Sequence, residues 1–324
     1  MISTIINKAI IQGIPLLFGS TGEIITEKSG NLNLGIPGIM YVGGCTGVIG
    51  AYLYEQSVGT PQALWCILIP LLSSILGSFL AAFIYSFLTI TLRANQNVTG
   101  LALTTFGVGF GDFFGGSLTK IFSDGGTLSV KTTADFYKTT LPFADKLGAF
   151  GEIFFNYGFL AYLAVIIALA TAYILKHTRV GLHLRAVGEN PATADAAGIN
   201  VTKYKYIATC VGGVIAGLGG LYFIMDYTGG SWTNGGFGDR GWLAIALVIF
   251  ALWKPNIGII GSFVFGGLYI AYSYIDGLSR SAVAIFNMLP YLVTILVLIL
   301  ASVRRKKENQ PPQSLGLPYF REER

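Results

Sequence analysis

Apolar residues run along this chain in blocks too long for a soluble fold. Windows at about 2–22, 32–54, 62–92, 97–118, 155–176, 203–225, 240–252, 257–275 and 283–302 are nearly free of charged side chains. About 20 consecutive apolar residues let a helix cross the hydrocarbon core of a bilayer. Several of these windows are short or broken by glycine. The pattern therefore predicts an all-α, polytopic integral membrane protein with about 8–10 transmembrane helices and Gly-rich interrupted spans.

Composition strengthens that reading. The chain is 53% hydrophobic and only 11% charged, with a mean hydropathy of +0.64. Its 43 glycines suit membrane helices, whose close approach depends on small residues. The net charge of +5 belongs to loops, since no basic stripe interrupts the spans, and a nucleic-acid partner is not expected. Cys45, Cys66 and Cys210 lie far apart without CxxC spacing, so they read as buried thiols.

Two polar interruptions fall at matching places in the two halves, SGNLNLGIPG at Ser29–Gly38 and TGGSWTNGGFGDRG at Thr228–Gly241. Unwound backbone is tolerated at membrane depth only where protein or water satisfies its polar groups. Paired interruptions are accordingly a pointer to a transport path. The candidate path residues are Asn31, Asn33, Asn97, Thr99, Thr104 and Asn234 as uncharged hydrogen-bonding groups, with Trp232 and Phe237 as flat apolar faces. Capping, turns and an interfacial aromatic belt explain the same residue types, and that alternative stays open. Charges within the apolar stretches are few, with Asp112 and Asp226 near the ends of their spans. The expected cargo is therefore a neutral, hydrogen-bonding solute, because an intramembrane series of ionisable groups would mark a proton relay.

The third polar feature is the loop TRVGLHLRAVGENPATADAAGINV at Thr178–Val201, whose alanine-rich second half predicts a short helix ending at Gly198. Placing the tail RRKK at Arg304–Lys307 in the cytoplasm puts 14 of the 21 basic residues on that side, including Arg179, Arg185 and Lys254. The positive-inside rule then makes the Thr178–Val201 loop cytoplasmic and the loop of about 119–154 extracytoplasmic, with the N-terminus outside. Residues 1–303 form the transmembrane domain. Residues 304–324, polar and containing Pro311–Pro312, read as a disordered cytoplasmic tail.

Catalytic chemistry is missing. The chain contains no GxxxxGK[ST] phosphate-binding loop, no HExxH and no GxSxG elbow. His177 and His183, the only two histidines, belong with the polar loop and lack the spacing of a helical metal pair. No catalytic or metal-binding residue is assigned, and the chain is not expected to be an enzyme. A self-sufficient secondary carrier and an integral membrane enzyme are the competing classes.

Four blocks carry a family resemblance: Gly22–Gly44, Ala94–Gly109, the loop segment GLHLRAVGENPATADAAGINV, and Gly238–Gly267. Together they resemble the permease subunits of ABC importers, in the branch handling simple sugars, branched-chain amino acids and nucleosides. The resemblance implies that the polar loop couples to a cytoplasmic ATPase, through Arg185, Glu189, Pro191, Asp195, Ala196, Ala197 and Gly198. ATP and magnesium would be bound by that partner, leaving no cofactor in this chain. Further implied partners are a second permease subunit and an extracytoplasmic solute-binding protein or lipoprotein, the assembly spanning a bacterial cytoplasmic membrane. Relatives usually carry an acidic residue where this chain has Pro37, which leans towards a non-identical permease partner. Nucleosides are the expected cargo; simple sugars are the alternative, and ATP-independent transport ranks below both.

Overall fold

The computed structural model describes residues 2–122, 128–140, 148–275, 277, 279–304 and 309–321. Helices dominate in the order α1 (Ile2–Lys28), α2 (Ile36–Ser57), α3 (Ala63–Ser86), α4 (Gln96–Phe122), α5 (Lys131–Tyr137), α6 (Gly148–Phe154), α7 (Phe159–His177), α8 (Arg179–Glu189), α9 (Pro191–Ala196), α10 (Val201–Tyr222), α11 (Arg240–Phe250), α12 (Pro255–Ile270) and α13 (Arg280–Arg304). Among the described residues, seven helices are long and apolar enough to cross a membrane: α1, α2, α3, α7, α10, α12 and α13. Helix α4, at 27 residues, has the length to cross as well. Helix α11, at 11 residues, spans only about 16 Å at 1.5 Å per residue. All nine apolar windows of the sequence thus contain a helix, and the chain is a multi-pass membrane protein.

Burial separates core from periphery. The spans of α1, α2 and α10 are 78%, 78% and 83% buried, against 28% for α3 and 11% for α13. The outer spans present Phe79, Phe83, Leu292 and Ile299 outwards, as lipid-facing helices do. Small residues let the central helices touch: a Cβ added to Gly43 of α2 would lie 2.6 Å from the Cα of Gly217 in α10. Without a strong hydrophobic drive between helices in lipid, such backbone contact supplies much of the packing energy.

Three details shape the site. Helices α3 and α10 each end in a π-helical turn, at Phe87–Thr91 and Phe223–Tyr227, a distortion that occurs frequently at functional sites. Leu252 and Trp253, between α11 and α12, take left-handed backbone angles, with φ of 52° and 55°. Such angles cost non-glycine residues about 1–2 kcal/mol each, so neighbouring contacts must hold this turn.

The loops sort to opposite ends. Lys28, Gly188, Lys254 and the tail meet at one end. At the other, Asn7 Nδ2 donates to the Glu152 carbonyl at 3.1 Å, and the Thr133 N–H donates to Glu55 Oε1 at 2.7 Å. Two expectations need correction. The 119–154 segment is not plain loop: α4 reaches Phe122, and α5 and α6 follow. Residues 123–127 and 141–147 lie outside the described residues. The tail is not disordered over 309–321, where it packs on the Thr178–Val201 loop. The backbone carbonyls of Gly30 and Gly188 accept from the Gly316 and Ser314 N–H groups, partners that composition does not reveal. The remaining tail residues, 305–308 and 322–324, lie outside the described residues.

Candidate solute pathway and coupling surface

The first interruption, Ser29–Gly35, is held by side chains from four helices. The Asn33 N–H donates to Glu23 of α1 at 2.9 Å, and the Leu32 N–H donates to Gln96 Oε1 of α4 at 2.7 Å. Thr104 of α4 donates to the Leu34 carbonyl at 2.7 Å, and Tyr85 of α3 donates to the Leu32 carbonyl. Asn31 reaches α10, its Nδ2 lying 3.1 Å from Thr209 Oγ1. Asn33 turns its own Oδ1 onto the Gly35 N–H at 2.9 Å, just ahead of α2. An unwound segment inside a membrane protein needs this degree of satisfaction. Asn31, Asn33 and Thr104 are therefore buried within the helix bundle in this conformation. Asn97 is exposed and Thr99 half-buried at the start of α4.

Two carboxylates escaped the sequence reading. Glu23 and Glu27 lie one turn apart on α1, beyond the window expected to end near residue 22, and both are buried. Glu23 receives the Asn33 N–H, and Glu27 receives Trp253 Nε1–H. One pair of acidic side chains thus ties the unwound segment and the strained α11–α12 turn to the same face of α1. The available signal was the i, i+4 spacing in GEIITEK, in a stretch with no helix breaker before Ser29.

The second interruption makes a different structure. Trp232 and Phe237 are buried and converge with Tyr41 of α2 and Phe223 at the end of α10. Ring centroids are 6.2 Å apart for Tyr41 and Trp232, 5.4 Å for Tyr41 and Phe237, and 5.0 Å for Phe223 and Phe237, all edge-to-face. Ser231 and Thr233 add neutral polar groups to this pocket, whose empty space is about 270 Å³ including its mouth. Asn234 is exposed, accepts the Trp232 indole N–H at 3.0 Å and donates to the Asp112 carbonyl at 3.4 Å, fixing the indole against α4.

Arg240 supports the pocket from below. It is 5% exposed, with its guanidinium 4.5 Å from the Phe223 ring and 5.0 Å from both Tyr227 and Tyr269. It also donates to the Gly236 and Phe237 carbonyls at 3.2 and 2.9 Å. Cation–π contact and fixed donors together hold the Phe237 turn in place. The far loop covers the pocket: the Val130 N–H donates to the Gly230 carbonyl, and the Trp232 N–H to the Leu128 carbonyl, both at 2.9 Å. Nothing local in the sequence marks Arg240, Tyr41 or Phe223 for this role.

The Thr178–Val201 loop folds into two helices. Thr178 caps α8, accepting from the Gly181 N–H at 3.1 Å, and Asn190 caps α9, accepting from the Thr193 N–H at 2.9 Å. Helix α8 buries Gly181, Leu184, Val187 and Gly188 on one face. Ala194 of α9 packs with Val187 and Val201. Gly198 follows with φ of 82°, the left-handed position that closes a helix. Arg185, Glu189, Ala196, Ala197 and Gly198 are exposed, while Pro191 and Asp195 are half-buried. Asp195 is already engaged, accepting from Tyr319 Oη at 2.9 Å and pairing with Arg321 Nε at 3.2 Å.

Comparison with known proteins fits this arrangement. The family described as branched-chain amino acid transport system / permease component matches residues 5–298. The nucleoside ABC transporter permease protein NupC of Lactococcus lactis subsp. cremoris is 29% identical over 91% of each chain. The guanosine ABC transporter permease protein NupQ of Bacillus subtilis is 31% identical over 100% of this chain and 98% of its own. The putative glucose ABC transporter permease protein TsgC13 of Haloferax volcanii is 31% identical over 98% of each. A buried bundle, a folded polar loop at one end and a family match over nearly the whole length lead to one assignment: the chain belongs to the branched-chain amino acid transport system permease family.

Proposed function

We propose that this chain is the membrane-spanning subunit of an ATP-binding-cassette importer that carries nucleosides inward. The observation that carries the cargo is the pocket of Tyr41, Phe223, Trp232 and Phe237, edged by Ser231 and Thr233. Flat aromatic faces suit a nucleobase, because base–aromatic stacking is worth about 1–3 kcal/mol per base. Neutral hydroxyls suit an uncharged sugar-bearing solute. NupC and NupQ, named as nucleoside and guanosine permeases, support the same reading. TsgC13 matches as strongly and keeps a simple sugar as the second reading.

In this account the exposed surface of α8 and α9 docks in a cleft of a cytoplasmic ATPase. Arg185 and Glu189 contribute charge there; Ala196, Ala197 and Gly198 contribute a small-residue contact. Helix α8 abuts the Ser29–Gly35 segment through Gly188, whose Cα would lie 3.4 Å from a Cβ built on Gly30. A push on the loop is thereby passed to the unwound segment and to α1. The pocket-side loop over 128–140 offers the surface for a solute-binding partner. ATP and magnesium act in the ATPase, and a second, non-identical permease completes the path. Uptake competition in a reconstituted complex tests the cargo: unlabelled nucleosides are expected to compete, and free pentoses to fail. Competition by pentoses alone would make the sugar reading the correct one.

A further inference from the structure

Beneath the docked tail lies a second cavity that neither the aromatic pocket nor the coupling surface uses. It is lined by Asn31, Thr89, Gln96, Thr202, Lys205 and, from the tail, Tyr319. Lys205 is 3% exposed. Among the described residues its ammonium makes no ion pair, and no carboxylate lines the cavity. Glu23 and Glu27 stand outside its lining, where Glu23 Oε1 accepts from Asn33 and Glu27 from Trp253, and Asp195 meets Tyr319 and Arg321. A buried cation without a counterion is costly unless something supplies the opposite charge.

The remaining cavity wall presents donors. Gln96 spends its Oε1 on the Leu32 N–H, which leaves its amide N–H₂ for a ligand. Thr202 brings a hydroxyl from the first turn of α10. Asn200 caps that helix through the Lys203 N–H at 2.9 Å, so the N–H groups of Val201 and Thr202 stay outside the helical ladder. A helix N-terminus adds positive potential at the same place. These donors suit an anion with several acceptor oxygens.

We propose that this cavity binds a small phosphate-class anion, free or as a lipid headgroup, with Lys205 as its counterion and the tail as its roof. Because Tyr319 both lines the cavity and bonds Asp195 of α9, occupancy and tail docking are thermodynamically linked: an anion that prefers the roofed form holds the tail on the coupling loop. The inference does not depend on which solute is carried.

The test uses the full chain in nanodiscs and inorganic phosphate as the probe, with Lys205→Met removing the charge and Lys205→Arg restoring it. Saturable phosphate binding to wild type and Lys205→Arg, weakened about tenfold or more in Lys205→Met, is expected for a lost charge-assisted contact. Hydrogen exchange over 313–319 should slow with phosphate in wild type and Lys205→Arg but not in Lys205→Met. Phosphate binding in both phosphatidylcholine and phosphatidylglycerol discs identifies the free anion. Its loss in phosphatidylglycerol discs alone identifies a lipid headgroup. Absence of saturable binding in phosphatidylcholine, or equal binding by Lys205→Met, overturns the proposal.

Discussion

Replacing Trp232 by alanine probes the cargo site most sharply. The indole is 5% exposed, meets Tyr41 edge-on at 6.2 Å and donates to Asn234 at 3.0 Å. Its ring also fills the gap left by two glycines of α4; a Cβ on Gly111 would lie 3.0 Å from Trp232 Cζ2. Two losses follow from truncation. The pocket loses a stacking face worth about 1–3 kcal/mol to a base, or roughly 5- to 150-fold in affinity. The fold loses an aromatic pair of about 0.5–1.5 kcal/mol and gains a cavity. Trp232→Phe separates the two, because it keeps a ring face while losing the indole N–H. Initial uptake rates at low nucleoside concentration, normalised to assembled complex, should fall at least fivefold in Trp232→Ala and far less in Trp232→Phe. Wild-type uptake by Trp232→Ala, or equal losses in both variants, would refute a stacking role.

Other expectations follow from neighbouring contacts. Charged, bulky replacements at Ala196 and Ala197, both exposed on the coupling loop, should uncouple ATP hydrolysis from transport; unchanged solute-stimulated ATPase activity would count against docking there. Asn33→Ala frees the Gly35 N–H before α2 and should slow transport without preventing assembly, a result checked by uptake against copurification yield. Trp253→Phe leaves Glu27 without its indole donor, a loss of about 1–3 kcal/mol for a buried polar group. It should lower the unfolding temperature, and a wild-type melting curve would show that this contact holds nothing. Tyr319→Phe removes the hydroxyl that reaches Asp195; faster proteolysis of the tail is expected, and wild-type protection would show that the bond is idle.

Much of the fold was readable because membrane spans are written in long apolar runs. The short helix in the second half of the Thr178–Val201 loop was also readable, because Gly198 is a local stop. What stayed hidden depends on distance in sequence. Asn31 looked like a path residue, but its partner is Thr209, 178 positions away. Tyr41 and Phe223 look like ordinary span aromatics until α2 and α10 cross. The tail looked disordered because its anchors, the carbonyls of Gly30 and Gly188, carry no side chain to reveal them. Glu23 and Glu27 were missed because the apolar window ended before the helix did.

Dependence of solute transport on an external ATPase can be measured on the isolated complex. The chain is reconstituted in proteoliposomes with its copurifying partners, and nucleoside uptake is followed with ATP, without ATP, and under an imposed ion gradient. Uptake that requires ATP hydrolysis and ignores the gradient is the predicted result. Uptake by the chain without any ATPase, following the ion gradient, would contradict the account.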